Sequence, residues 1–264
     1  MVYVGPWGAV MYDDGPRVGP HWPLSQMIIY GINPVLEALR AGRVTQIRVV
    51  DRADRRIKEL LELAAERRVT VQRVEPGLLS QQTYDGVHQG VVADIHDAQE
   101  WSVQDLVLGA AGVPLIVVLD GIEDPHNLGA ILRSVDAAGA DGLVLQTRHS
   151  AARSGVAAKS SAGALAHVRI AHVVNIARAL EELKDVGVWT VGLAGEASEP
   201  YDEVDWTLPS ALVLGAEGTG LRRLVRERCD RLVSIPMRGQ VGSLNVSVAA
   251  GVALFEAVRQ RRNA

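Results

Sequence analysis

The sequence predicts an α/β fold: a small α/β unit, then a mostly parallel sheet with helices on both faces. Three observations lead there. From Pro114 onward, short unbroken apolar runs at 115–119 and 211–214 read as strands buried on both faces. Between such runs lie stretches with apolar residues at helical spacing, and this alternation is the pattern of crossover-connected parallel strands. The 264 residues are 48% hydrophobic and 22% charged, which excludes collagen-like, coiled-coil and wholly disordered chains.

Taken in order, residues 1–26 hold eight Gly and Pro and no period of 2 or 3.6. They are read as a disordered N-terminal arm, with Met27 an equally acceptable start. Residues 27–96 form the small unit. Its helix at 34–40 has Asn33 as cap and Pro34 at the first helical position. A strand follows at 46–50. The next helix, 55–67, places Ile57, Leu60, Leu61 and Ala64 on one face. Strands at 69–74 and 90–95 complete it. Residues 97–113 are acidic and weakly patterned, and are taken as a linker. In 114–264 the strands are 115–119, 143–146, 188–192, 211–214 and 231–235. The helices are 128–138, 176–184, 221–227 and 246–259.

Charge and composition narrow the function. The chain has 27 Lys and Arg against 31 Asp and Glu, a net of −4, whereas a nucleic-acid binder usually shows a basic domain. Residues 27–96 are locally balanced, 10 against 9, and six arginines crowd into 218–238. A local basic surface and an ordinary solvated face both fit that run. The single cysteine, Cys229, excludes a disulfide framework and a cysteine zinc site, and reads as a small buried residue. The seven histidines include no H-x-x-x-H pair, so no metal is expected. No apolar run approaches the ~18 residues of a membrane span, and no signal-peptide pattern is seen, so the cytoplasm is the expected compartment.

Three segments have the texture of a site. The first, 119–138, places Pro125 and Asn127 at a helix start after a buried strand. Leu128, Ile131, Leu132 and Val135 make the buried stripe, and Arg133 points away from it. Ligands of open α/β sheets bind at that end of the strands, though a plain cap and a solvated arginine would look the same. The second, 211–221, runs a strand into Gly215, Glu217, Gly218 and Gly220. Its order G-x-x-G-x-G fails the dinucleotide fingerprint G-x-G-x-x-G. The third, 234–250, is a glycine-rich loop before the last helix. Ser243 and Asn245 sit at the helix start, where as caps alone they need no function, and apolar Ile235 and Leu244 flank the loop as the walls of a pocket for a flat ring would.

Together the three segments resemble the three motifs of the SpoU/TrmH family of RNA ribose methyltransferases, in the SPOUT superfamily. Asn127 and Arg133 match the first, Gly215-Ala216-Glu217-Gly218 the second, and Ser243-Leu244-Asn245 the third. Within the family the chain is most similar to the RlmB group, through Tyr30-Gly31-Ile32, His88-Gln89-Gly90 and the ending 255–261. The likeness covers about 27–262, and 1–26 depart from it. It implies a SPOUT-type methyltransferase domain over 114–264 whose C-terminal part forms a trefoil knot. S-adenosylmethionine (SAM) would bind there at Gly215, Ile235 and Leu244. It also implies a homodimer through the knotted domain and an RNA-binding domain at 27–96. The implied reaction is SAM-dependent 2′-O-methylation of an RNA ribose. In the RlmB group the target is a guanosine in the peptidyl-transferase loop of 23S rRNA, and another rRNA or tRNA nucleotide is the alternative.

The resemblance names Arg133, Asn127, Glu217, Ser243 and Asn245 as catalytic. A ribose 2′-OH is a poor nucleophile until it loses its proton, so the enzyme must align oxygen, methyl and sulfur and manage that proton. The family gives the proton to the arginine. A guanidinium normally keeps its own, with a pKa above ~12, so Arg133 as base and Arg133 as stabiliser of the developing alkoxide both stand. A non-catalytic RNA-binding or ribosome-assembly protein on the same fold is the reading from another class.

Overall fold

The computed structural model describes residues 27–262, apart from 53, 84–85, 96–100, 148–163 and 165–166; the arm at 1–26 lies outside the described residues. The small unit is a four-stranded sheet in the order β1-β4-β2-β3. Its elements are β1 (Met27–Tyr30), α1 (Ile32–Arg40), β2 (Val44–Val49), α2 (Arg55–Glu66), β3 (Thr70–Arg73), α3 (Pro76–Gln82) and β4 (Val91–Ile95). β4 runs antiparallel to both β1 and β2, and β3 is parallel to β2. β1 and α3 are too short to show a period in the sequence. Asn33 is not the cap of α1: Gly31, with φ +95°, caps it, and Asn33 sits inside the helix accepting a hydrogen bond from Arg56.

The second sheet has seven strands in the order β7-β6-β5-β10-β8-β11-β9, and every pairing in it is parallel. The strands are β5 (Leu115–Asp120), β6 (Gly142–Gln146), β7 (Ile170–Val173), β8 (Trp189–Leu193), β9 (Glu199–Pro200), β10 (Ser210–Gly215) and β11 (Arg231–Ser234). The apolar runs alternate between two cores. Val117, Leu119, Leu212 and Leu214 face α5 (Pro125–Ala137) and α8 (Val246–Arg261). Ile116, Val118, Ala211 and Val213 face α4 (Val103–Leu108), α6 (Ile176–Asp185) and α7 (Arg223–Arg228). A strand covered on both faces must be apolar at every position, which is why these runs are unbroken.

Two expectations are corrected here. Part of the stretch taken as linker is the helix α4. Ser102 and Asp105 form a reciprocal capping box, and Val103 and Leu106 are buried in the second core. The pattern is too short to show a helical period. Asn127 is also not a cap. Pro125 takes the first helical position of α5, so the cap falls on Asp124, whose carboxylate accepts from the His126 amide at 2.9 Å. Asn127 is therefore inside the helix, with its side chain released from capping.

Candidate active site

Parallel strands point their carboxyl ends one way, and the loops after β5, β8, β10 and β11 meet there. Between the last three of these loops lies a cavity of about 490 Å³. Gly215, Ile235 and Leu244 all line it, as do Glu217, Ser243 and Asn245. A second cavity of about 340 Å³ opens beside it, lined by the 121–124 loop, Asn127 and Glu217. Ala216, Glu217, Thr219 and Val246 belong to both linings, so the 216–219 loop is a shared wall.

One hydrogen-bonded chain ties the three sequence segments together. Asn127 is 7% exposed. Its Nδ2 donates to Glu217 Oε2 at 3.0 Å, and its Oδ1 accepts from Asn245 Nδ2 at 3.0 Å. Asn245 Oδ1 in turn accepts from the Ser247 amide at 2.9 Å and caps α8, as the sequence predicts. A buried amide must satisfy both ends, so Asn127 is fixed in one orientation between segments 90 and 118 residues away. Ser243 is exposed on the cavity wall.

Arg133 stands apart. It is exposed on α5, as expected, and lines neither cavity. Six residues beyond Asn127, it lies about 9 Å along the helix and about 240° around it. One turn away from it on α5 are Ala130, Ala137 and the exposed Asp136. Ser134 Oγ is 3.7 Å from where a Cβ on Gly251 of α8 would lie. There α8 exposes Val248 and Phe255, with Val252 half-buried between them. The outward side of α8 is thus apolar, beside an α5 surface that carries both Arg133 and Asp136.

Sequence reasoning missed two ion pairs. Asp120 and Arg222 lie beneath the shared wall, and Glu196 and Arg226 sit on the lining of the larger cavity. Asp120 left a signal, a charge ending an apolar strand, whereas nothing marked Glu196. The arginine run itself is mostly spent on pairs: Arg222, Arg223, Arg226, Arg228 and Arg231 meet Asp120, Glu227, Glu196, Glu181 and Glu199. Burial pushes the Cys229 thiol up to about 12, which makes it inert at neutral pH.

This geometry belongs to a known group. The SpoU rRNA Methylase family matches residues 114–255, and the RNA 2′-O ribose methyltransferase substrate-binding family matches 28–101. The chain belongs to the SpoU rRNA methylase family. Among its relatives, the 23S rRNA (guanosine-2′-O-)-methyltransferase RlmB of Pseudomonas putida is 47% identical over 240 residues, 89% of this chain and 96% of that protein. RlmB of Photorhabdus laumondii is 45% identical, over 89% of this chain and 98% of its own length. Among solved structures, the SpoU methyltransferase AviRb of Streptomyces viridochromogenes in complex with AdoMet superposes with a TM-score of 0.77 at 28% identity. That match covers 91% of this chain and 92% of AviRb.

Proposed function

We propose that this SpoU-family protein transfers a methyl group from SAM to the 2′-oxygen of a guanosine ribose in 23S rRNA. The carrying observation is the pair of cavities sharing the Glu217 wall, with Asn127 at the edge of the smaller one. RlmB relatives at nearly half identity along almost the whole chain support the rRNA substrate. The larger cavity fits the cofactor. Its volume lies within the roughly 300–1,000 Å³ of small-molecule sites. Leu193, Leu214, Ile235 and Leu244 offer apolar walls to an adenine ring, and Glu196 with Arg226 offers both charge signs to a zwitterionic amino-acid end.

When bound, SAM supplies a methyl group activated on a sulfonium. The chain supplies placement. Gly215, Ile235 and Leu244 hold the cofactor. Glu217 keeps the Asn127 amide turned toward the smaller cavity, where it orients the ribose. Asn245 locks Asn127 from the other side, and Ser243 contacts the substrate at the cavity mouth. Arg133 provides a fixed positive charge for the developing 2′-alkoxide or its neighbouring phosphate. Arg133 lines neither cavity of its own chain, so in this reading it acts on the partner's site, across an interface formed by the Val248, Val252 and Phe255 side of α8. The working enzyme is accordingly a homodimer through this domain, whose C-terminal part is knotted.

The unit at 27–96 holds the RNA. Arg52, Arg55 and Lys58 line a separate cavity of about 320 Å³ there, beside Asp54 and the Asp51–Arg73 ion pair, and phosphate contacts from such exposed cations set affinity. Among the described residues no helix is long and apolar enough to cross a membrane, and the site of action is the cytoplasm, where ribosomes are assembled. Ribose-methylation mapping of 23S rRNA from cells with and without the protein tests the whole reading. One guanosine in the peptidyl-transferase loop should lose its methyl group when the protein is absent; an unchanged map refutes the assignment.

A further inference from the structure

Asp120, the last residue of β5, has 0% exposure. A carboxylate without solvent is strongly disfavoured unless it is paired and fully hydrogen-bonded. Here a single residue does most of that. Arg222 donates its backbone N–H to Oδ2 at 2.8 Å and its Nε to Oδ1 at 2.6 Å, and its Nη2 pairs with Oδ1 as well. The same Nη2 reaches Gln146 Oε1 at the end of β6, at 3.0 Å. Main chain and side chain of one residue are thus clamped on one carboxylate, which fixes where residue 222 sits and how it is turned.

Residue 222 ends the loop that carries Glu217. The loop begins at Gly215, which stands opposite Asp120 in the β5–β10 register. Asp120 therefore holds both ends, one through strand pairing and the other through its side chain. Between them Ala216 and Gly220 exchange both backbone hydrogen bonds, at 3.1 and 2.9 Å, closing a tight turn with Glu217 in it. The turn folds back hard on its own strand: a Cβ on Gly215 would fall 2.2 Å from the Gly220 carbonyl carbon. Asn127, the partner of Glu217, departs from the same end of β5 seven residues later.

We propose that Asp120 is a positioning residue for methyl transfer, acting through Arg222 to hold the Glu217 loop between the two cavities. This rests on the reading of Glu217 and Asn127 as the acceptor side of a methyltransferase site. An apolar residue would fill the end of a buried strand at least as stably as an ion pair. The carboxylate gains its meaning from the orientation it imposes on the loop.

The test uses full-length Asp120→Asn, Arg222→Lys, Arg222→Gln and the double variant Asp120→Asn/Arg222→Gln. Thermal melting checks each fold, calorimetry measures SAM affinity, and kcat and KM are read on 23S rRNA. Misplacing reacting groups by about an ångström costs up to ~100-fold. Asp120→Asn and Arg222→Gln should therefore lose at least about tenfold in kcat and weaken SAM binding, with KM for RNA unchanged. Arg222→Lys should recover part of the loss, and the double variant should be no worse than Asp120→Asn alone, as for one coupled unit. Folded variants with wild-type kcat and SAM affinity overturn the proposal, as do losses that multiply in the double variant. If Asp120→Asn does not fold, the half-exposed Arg222 carries the same expectations. SAM calorimetry needs no RNA, so a wild-type protein that binds SAM but leaves 23S rRNA unmethylated sinks the substrate reading and still leaves the clasp to be judged.

Discussion

At the residue scale, position sorts the site's side chains into different roles. Arg133 lies outside the larger cavity and off the buried stripe of α5. Arg133→Ala should abolish most turnover while sparing the fold and SAM affinity, as read by single-turnover methyl transfer beside calorimetry. Arg133→Lys keeps the charge and loses the planar fork. Partial rescue by lysine identifies charge as the requirement, and failure identifies the fork. Asn127→Ala leaves Glu217 and Asn245 without their shared partner and should cost about 1–3 kcal/mol in thermal or denaturant unfolding. Asn127→Asp sets a carboxylate against Glu217. Like charges at that distance raise one pKa, so its activity defect should shrink as pH falls and one proton bridges the pair. Cys229, with its thiol near 12, should be alkylated in the folded protein at a rate that still climbs between pH 7 and 10. A plateau in that range would contradict its burial.

At the element scale, helix faces and strand ends show what partners the molecule needs. On α8, Ala250, Ala253, Leu254 and Ala257 are buried against the sheet, while Val248, Val252 and Phe255 fall on the outer side. Phe255 is 50% exposed, so Phe255→Asp should leave the monomer folded and break the proposed dimer, with light-scattering mass halved. An unchanged dimer would move the interface elsewhere. In the small unit, arginines that look alike in sequence part ways. Arg48 is buried with Asp94 on the four-stranded sheet. Arg48→Ala strands that carboxylate and should destabilise by about 3–5 kcal/mol. Arg52 and Arg55 are exposed at the end of β2 and the start of α2. Arg52→Glu/Arg55→Glu should leave the melting temperature nearly unchanged and weaken RNA binding.

For the whole molecule, ligand linkage reads both halves at once. SAM at 100 times its Kd should add about 2.7 kcal/mol of stability, seen as a higher melting temperature, and NAD at equal concentration should add none. Binding of 23S rRNA should fall as salt rises. In the Arg52/Arg55 variant the slope of log K against log salt should drop by about 1 for each phosphate that is no longer neutralised. An acidic total charge does not oppose this. Screening over about 10 Å at 0.1 M salt makes the local surface, and not the sum, what a phosphate meets.

Local pattern was enough for the sequence to determine the alternation of strand and helix from Pro114 onward, the cap at Asn245 and the outward aspect of Arg133. Each of these follows from residues a few positions apart. Short elements such as α4 and β7 were not legible, because so few residues carry too little period to stand above their surroundings. The role of Asn127 was misread for the opposite reason: a good capping residue after Pro125 satisfies every local rule, and only the neighbouring Asp124 shows the cap to be taken. Which of the clustered arginines are held in ion pairs, that Arg48 is buried while Arg52 is not, and that Asp120 reaches Arg222 across 102 residues were decided by tertiary structure alone. Those facts depend on which strands lie side by side. The order β5-β10-β8-β11 brings together carboxyl ends that are distant in the chain, and no local period encodes that order.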